Sequence, residues 1–177
     1  MSAPGLDLEL LDLLHLPPTI NRTSVNFMGC YAAIHAMKIA DAYCKADRSS
    51  NVLIVCTELC TLHFQKEATI DNITSSMLFA DGAAALLISG DDSREGLKID
   101  NFYSSVATKG KADMAWMLSS KGFLMTLSGY IADLIGEDFD TLVTAALKAA
   151  NLEKDEINHW CIHPGGKKIL EAVHKSL

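Results

Sequence analysis

Residues 25–38 read VNFMGCYAAIHAMK and place one cysteine, Cys30, at an expected change of secondary structure. A β-prone run at residues 23–27 precedes Gly29, and an alanine-rich helical run at residues 31–46 follows the cysteine. Glycine permits the tight turn that a strand-to-helix junction requires. The positive end of a helix dipole favours a thiolate over a thiol, so the pattern predicts a nucleophilic cysteine. Because free cysteines are often buried core residues, a structural role for Cys30 is the alternative.

Composition narrows the classes of protein to which the chain can belong. Its 177 residues, 49% of them apolar, fit one domain or one piece of a larger one with a sizeable core. The net charge of −7 argues against nucleic acid as a partner, and no run of 18 apolar residues is present to span a membrane. The five cysteines are odd in number and form no CxxC pair. This pattern predicts a reduced, cytoplasmic protein without a disulfide framework or a metal site.

Expected strands and helices alternate along the chain, which predicts an α/β fold. Two continuous apolar runs, residues 52–57 and 83–89, are typical of strands buried on both faces. Further strands are expected at residues 97–107 and 159–162, and helices at residues 6–16, 31–46, 123–135, 139–150 and 167–177. A helix break is expected at residues 136–138. The linker GDDSREG, residues 90–96, predicts a boundary that divides the chain into residues 1–92 and 93–177.

A second candidate for chemistry is His163, in the turn sequence HPGG at residues 163–166. Proline restricts the backbone of this turn, and the two glycines allow a ligand to approach closely. If His163 meets Cys30 in space, the two form the thiolate–imidazolium pair of an activated cysteine. His63 follows a predicted strand, so it either lines a pocket or packs. Glycine-rich phosphate-binding loops are absent from the sequence.

Three motifs together point to a family: GCYAA at residues 29–33, FADGAAA at residues 79–85 and HPGG at residues 163–166. In this order and spacing they closely resemble type III polyketide synthases, the chalcone-synthase-like enzymes, over essentially the whole chain. The resemblance implies a thiolase-like layered αβαβα fold built from two similar halves. It assigns residues 1–92 to the half with the cysteine nucleophile and residues 93–177 to the half with the catalytic histidine. It also implies that both ends are incomplete, because the family's catalytic asparagine lies beyond the HPGG helix and its N-terminal region precedes Met1.

The resemblance further implies an acyltransferase. The cysteine matching Cys30 accepts an acyl-CoA starter as a thioester, and the histidine matching His163 stabilises the thiolate and then the oxyanion. Malonyl-CoA is decarboxylated, and its enolate extends the acyl chain to a polyketide. In the family, Phe79 matches the residue between the CoA tunnel and the cavity, His63 a cavity position, and Gly165 and Gly166 the tunnel wall. A homodimer without a metal or organic cofactor is implied.

Two alternatives remain open at this point. The chain could be a non-catalytic thiolase-fold fragment or a CoA-binding subunit, since the asparagine motif is absent. It could also resemble ketoacyl synthase III enzymes, although a basic docking patch for an acyl carrier protein is then expected and the chain is acidic. Starter, number of extensions and cyclisation depend on cavity volume, which these motifs do not specify.

Overall fold

The computed structural model describes residues 5–120 and 122–177. Helices and strands are both present, as an α/β chain requires, and short 3-10 turns connect them. In chain order the elements are α1 (Leu6–Leu13), α2 (Ala32–Ala46), β1 (Asn51–Glu58), α3 (Ile70–Leu78), β2 (Gly82–Ser89), β3 (Met114–Ser119), β4 (Gly122–Leu127), α4 (Ile131–Ala150) and α5 (Lys167–Ser176).

The chain divides into two compact units. The first unit contains the chain up to Ile54 together with Leu87–Arg94, and its buried apolar residues include Ala40, Cys44 and Ile54. The Cys44 thiol donates to the carbonyl oxygens of Ser50 and Ile88 at 3.7 and 3.8 Å. Burial raises the pKa of this thiol. Cys44 is therefore a core residue of the first unit. The sequence division at residue 92 stays a prediction.

The second unit contains Val55–Leu86 and Glu95–Leu177. Strands β3 and β4 form an antiparallel hairpin in which Met114 lies opposite Leu127 and Ser119 opposite Gly122. Strand β4 packs against α3, and its Met125 is buried. Helices α4 and α5 pack together, with Val143 and Val173 buried. These contacts give the second unit its apolar core.

The prediction that β1 and β2 are buried on both faces is wrong for the described residues. The start of β1 lies beside the end of β2, where the Ser89 hydroxyl donates to the Asn51 side-chain oxygen at 3.0 Å. The pair is a two-stranded sheet with no further described strand on either edge. Only Ile54 of the two strands is buried, while Leu53 is 45% exposed and Leu87 is 55% exposed. The two strands therefore carry more apolar side chains than the described residues bury.

Four local predictions are also wrong. No strand forms at residues 97–107 or 159–162, because neither segment has a described ladder partner. Residues 123–127 belong to β4 instead of a helix, since pairing with β3 satisfies their backbone groups. Helix α4 runs unbroken through Gly136, where a Cβ would lie 3.5 Å from the Cβ of Ala172. A Cβ at that distance makes an ordinary contact, so this glycine lies where α4 packs against α5 and does not end a helix.

Within the described part of the chain, no helix is both long and apolar enough to span a membrane.

Candidate active site

Cys30 lies in the first unit, in a 3-10 turn, Gly29–Tyr31, that leads directly into α2. Its side chain is exposed. Gly29 has a φ of +59°, and Phe27 two residues earlier has a φ of +58°, so the backbone enters the turn through left-handed conformations. No strand forms at residues 23–27, which corrects the predicted strand-to-helix junction. The position at the beginning of a helix is confirmed, and it presents the thiol to solvent.

His163 lies in the second unit, in the turn that precedes α5. Its carbonyl oxygen accepts a hydrogen bond from the Gly165 N–H at 2.9 Å, which closes the turn tightly. A Cβ on Gly165 would lie 3.6 Å from Cδ2 of the His163 ring, so the imidazole lies close to the glycine backbone. The side chain is exposed. The turn thus holds the imidazole over its own backbone and leaves it accessible.

Gly166 is the N-cap of α5 and has φ of 126° and ψ of 156°, a region that essentially only glycine adopts. Its carbonyl oxygen accepts hydrogen bonds from Ile169 and Leu170, which begin the helix. A Cβ on Gly166 would lie 3.9 Å from Cδ1 of Leu78, the last residue of α3. Phe79 follows as the C-cap of that helix. The HPGG turn therefore lies beside the end of α3 and close to Phe79.

His63 ends a second 3-10 turn, Cys60–His63, and contacts two aromatic rings. Its ring centroid lies 5.8 Å from that of Trp116 on β3 and 5.1 Å from that of Phe123 on β4. Trp116 and Phe123 also meet edge to face at 6.3 Å. Residues 116 and 123 lie on the same face of the hairpin, as the register requires. We call His63, Trp116 and Phe123 the aromatic cluster.

Asp81 joins the two turns that carry His63 and Phe79. Its carboxylate accepts the Thr61 backbone N–H at 2.8 Å and the Thr61 hydroxyl at 2.6 Å. These two hydrogen bonds lower the pKa of Asp81 below the ordinary aspartate value, because they favour the ionised carboxylate. Residues 79–85 belong to one of the three family motifs, yet the sequence pattern predicts no role for Asp81 or Thr61. The aspartate–glycine pair at residues 81–82 indicates only a turn.

The second unit thus brings together five of the six predicted site residues on adjoining segments: His63, Phe79, His163, Gly165 and Gly166. Cys30 lies in the first unit, and its pairing with His163 stays a prediction. Within residues 5–120 and 122–177, no cluster of three or more His, Cys, Asp or Glu side chains is placed to hold a metal ion.

Comparison with known proteins identifies the family of the chain. Residues 1–92 match the family of chalcone and stilbene synthases, N-terminal domain, which is more than half of the chain. The chain belongs to the chalcone and stilbene synthase family. The predicted membership of the type III polyketide synthases is therefore confirmed.

Curated relatives of this chalcone and stilbene synthase family member align with almost its whole length. "Alpha-pyrone synthesis polyketide synthase-like Pks18" of Mycobacterium tuberculosis is 33% identical over 99% of the chain and 46% of its own length. "3,5-dihydroxyphenylacetyl-CoA synthase" of Amycolatopsis orientalis is 28% identical over 96% of the chain and 47% of its own length. The chain therefore spans about half the length of the curated relatives that it matches.

A solved structure of the same family confirms the predicted thiolase-like fold. The polyketide synthase PKS-I of the brown alga Ectocarpus siliculosus superposes with a TM-score of 0.91 at 30% identity, over 100% of the chain and 48% of its own. Tetrahydroxynaphthalene synthase of Streptomyces coelicolor superposes with a TM-score of 0.90 at 21% identity, which shows the fold alone. The described helices and strands thus form part of a type III polyketide synthase fold.

Proposed function

We propose that this chain carries the acyl-loading site of a type III polyketide synthase, with Cys30 as the nucleophile. The observation that carries the proposal is the exposed Cys30 thiol on a tight turn at the beginning of α2, in a chain of this family. Exposure matters because a bulky acyl-CoA must reach the sulfur. Cys44, in contrast, is buried against backbone carbonyls and is not accessible to such a substrate.

In the proposed reaction the Cys30 thiolate attacks the carbonyl carbon of an acyl-CoA. The bond from that carbon to the CoA sulfur breaks, and CoA leaves as a thiolate that takes up a proton. Malonyl-CoA then loses CO2, and the electron pair of the broken bond forms an enolate. The enolate carbon attacks the acyl carbon on Cys30, whose thiolate leaves again. The His163 imidazolium donates hydrogen bonds to the oxyanions that develop in these steps.

The proposal gives the remaining site residues binding roles. Phe79 and His63 line the acyl cavity, while Gly165 and Gly166 line the tunnel for CoA. Support comes from the contact of Gly166 with Leu78, the neighbour of Phe79, and from the hydrogen bonds of Asp81 with Thr61, which hold the His63 turn to the same segment. The substrates are acyl-CoA and malonyl-CoA, with no metal or organic cofactor. We also propose a cytoplasmic location, for which the five free cysteines are the support, and a homodimer, which rests on the resemblance to the family alone.

Peptide mass spectrometry after incubation with a panel of acyl-CoAs tests the proposal. We expect an acyl adduct on the Cys30 peptide that disappears in Cys30→Ala. Cys161→Ala is the matched control, because Cys161 is also an exposed free cysteine. Loading that persists in Cys30→Ala contradicts the assignment.

A non-catalytic CoA-binding role is the second candidate, because the HPGG turn to which CoA binding is assigned lies wholly within the second unit. Isothermal titration with CoA separates the two. Binding of CoA without any thioester on Cys30 supports the second candidate. An adduct on Cys30 supports the first.

A further inference from the structure

The hydrogen bonds between Asp81 and Thr61 connect two segments that are 20 residues apart in the sequence. The Thr61 N–H donates to one carboxylate oxygen at 2.8 Å, and the Thr61 hydroxyl donates to the other at 2.6 Å. Each oxygen of the carboxylate thus has a donor, so both the distance and the orientation of the two segments are restricted. We call this pair of bonds the Asp81–Thr61 clamp.

On one side, the clamp holds the 3-10 turn that carries His63. Thr61 lies in the middle of the Cys60–His63 turn, two residues before His63. The His63 ring then contacts Trp116 and Phe123 in the aromatic cluster. A shift of the turn therefore moves the imidazole relative to the β3–β4 hairpin.

On the other side, the clamp holds the chain at the end of α3. Asp81 follows Phe79, the C-cap of that helix, by two residues, and β2 begins at Gly82. The neighbouring Leu78 side chain lies beside Gly166 of the HPGG turn. The same carboxylate therefore links the His63 turn to the segment that places Phe79.

We propose that Asp81 is a positioning residue, whose carboxylate sets the distance between His63 and Phe79 across the acyl cavity. Asp81 acts through Thr61 and does not touch the reacting atoms. That His63 and Phe79 line this cavity rests on the proposed function. The hydrogen bonds to the carboxylate are charge-assisted and short, which suits a rigid connection between two loops.

Two substitutions of Asp81 test whether the hydrogen bonds to Thr61 are what holds the two segments together. Asp81→Ala removes both acceptors and releases the two segments. Asp81→Asn keeps an oxygen for the Thr61 N–H, and its amide donates to the Thr61 hydroxyl, which can accept. The clamp geometry then survives, so asparagine rescues what alanine loses. Asp91→Ala is the matched control, because the Asp91 carboxylate also accepts a serine N–H and hydroxyl but joins residues only two apart.

Trp116 fluorescence measures the position of His63 without any need for activity. In a Trp160→Phe background, Trp116 is the single tryptophan. The His63 ring meets the Trp116 indole edge to face at 5.8 Å, so loss of this contact changes the indole emission. His63→Asn removes the ring, and the change in Trp116 emission that this substitution causes in a given variant is called the step. We expect the step to be lost in Asp81→Ala and retained in Asp81→Asn and Asp91→Ala.

Acyl loading gives the functional readout. For Asp81→Ala, we expect the acyl-CoA concentration at half-maximal Cys30 loading to rise by up to roughly a hundredfold, with the maximal rate less affected. Asp81→Asn should stay close to the unmodified protein. An unchanged fluorescence step together with unchanged loading in Asp81→Ala overturns the proposal.

If Asp81→Ala does not fold, Thr61→Val tests the clamp instead. This substitution removes the hydrogen bond from the Thr61 hydroxyl and keeps the one from the Thr61 N–H. A reduced Trp116 step in Thr61→Val supports the clamp, and an unchanged step overturns it. If no variant, including the unmodified protein, loads an acyl group, the proposed function fails. The fluorescence result still decides the clamp in that case.

Discussion

Replacement of Gly166 by alanine tests how the HPGG turn is held. Its φ of 126° and ψ of 156° lie in a region that costs an L-residue about 1–3 kcal/mol. A Cβ there meets only Cδ1 of Leu78 at 3.9 Å, an ordinary contact, so steric overlap adds nothing. Alanine also restricts the unfolded chain, which returns about 0.4–1 kcal/mol. We therefore expect Gly166→Ala to lower the free energy of unfolding by about 1–2 kcal/mol.

Gly165→Ala and Gly96→Ala are matched controls in the same chain. Gly165 has no left-handed φ, and its Cβ would lie 3.0 Å from Cδ1 of Ile169, the movable end of a side chain. A loss below about 1 kcal/mol is expected there. Gly96 has open space around its Cα, so its replacement should change the free energy of unfolding very little. The order of destabilisation separates backbone conformation from crowding.

Urea unfolding followed by Trp160 fluorescence, in a Trp116→Phe background, measures the effect. With a denaturant slope of about 2 kcal/mol/M, the expected loss lowers the urea midpoint by about 0.5–1 M. Cys161 allows native ligation of a synthetic peptide for residues 161–177, so D-alanine can replace Gly166. D-alanine favours positive φ and should restore the midpoint. Equal destabilisation by L- and D-alanine refutes the backbone argument.

Two further predictions concern the first unit. A Cβ on Gly90 would lie 2.7 Å from the backbone oxygen of Arg48, so Gly90→Ala should lower the free energy of unfolding by about 1–3 kcal/mol. The loss should speed alkylation of the buried Cys44, which peptide mass spectrometry measures, and an unchanged alkylation rate contradicts this prediction. Hydrogen bonds from the Ser49 hydroxyl and N–H lower the pKa of Asp47. The ionised carboxylate therefore stabilises the folded state above the ordinary aspartate pKa, and this stabilisation is lost as the pH falls through the lowered pKa. The stability difference between the unmodified protein and Ser49→Ala should therefore shrink in urea titrations below the ordinary aspartate pKa, and a difference that is constant with pH is the contrary result.

Local sequence patterns predicted the two turns that carry the candidate chemistry. A glycine before Cys30 and small residues after it indicated a helix, and α2 begins two residues after the cysteine. The glycine pair after His163 indicated a helix start, and Gly166 is the N-cap of α5. These predictions succeed because the backbone preferences of glycine and the capping of a helix act within a few residues.

Segments whose structure depends on distant partners were predicted less well. Residues 123–127 form a strand because β3 pairs with them, and nothing within the segment itself specifies that partner. The sequence predicts that residues 136–138 break a helix, yet α4 continues through Gly136 and packs there against Ala172 of α5. A glycine can break a helix or permit close packing, and only the neighbouring element decides between them.

Motif residues and helix signals act within a few positions, so they are enough to predict the family, the α/β class and the candidate cysteine and histidine. Packing between distant segments produces the Thr61–Asp81 hydrogen bonds that join the His63 turn to the end of α3, and the contacts of Trp116 and Phe123 with His63. Those contacts join residues 20 to 60 positions apart. Their formation depends on how helices and hairpins pack, which periodicity along the chain does not encode.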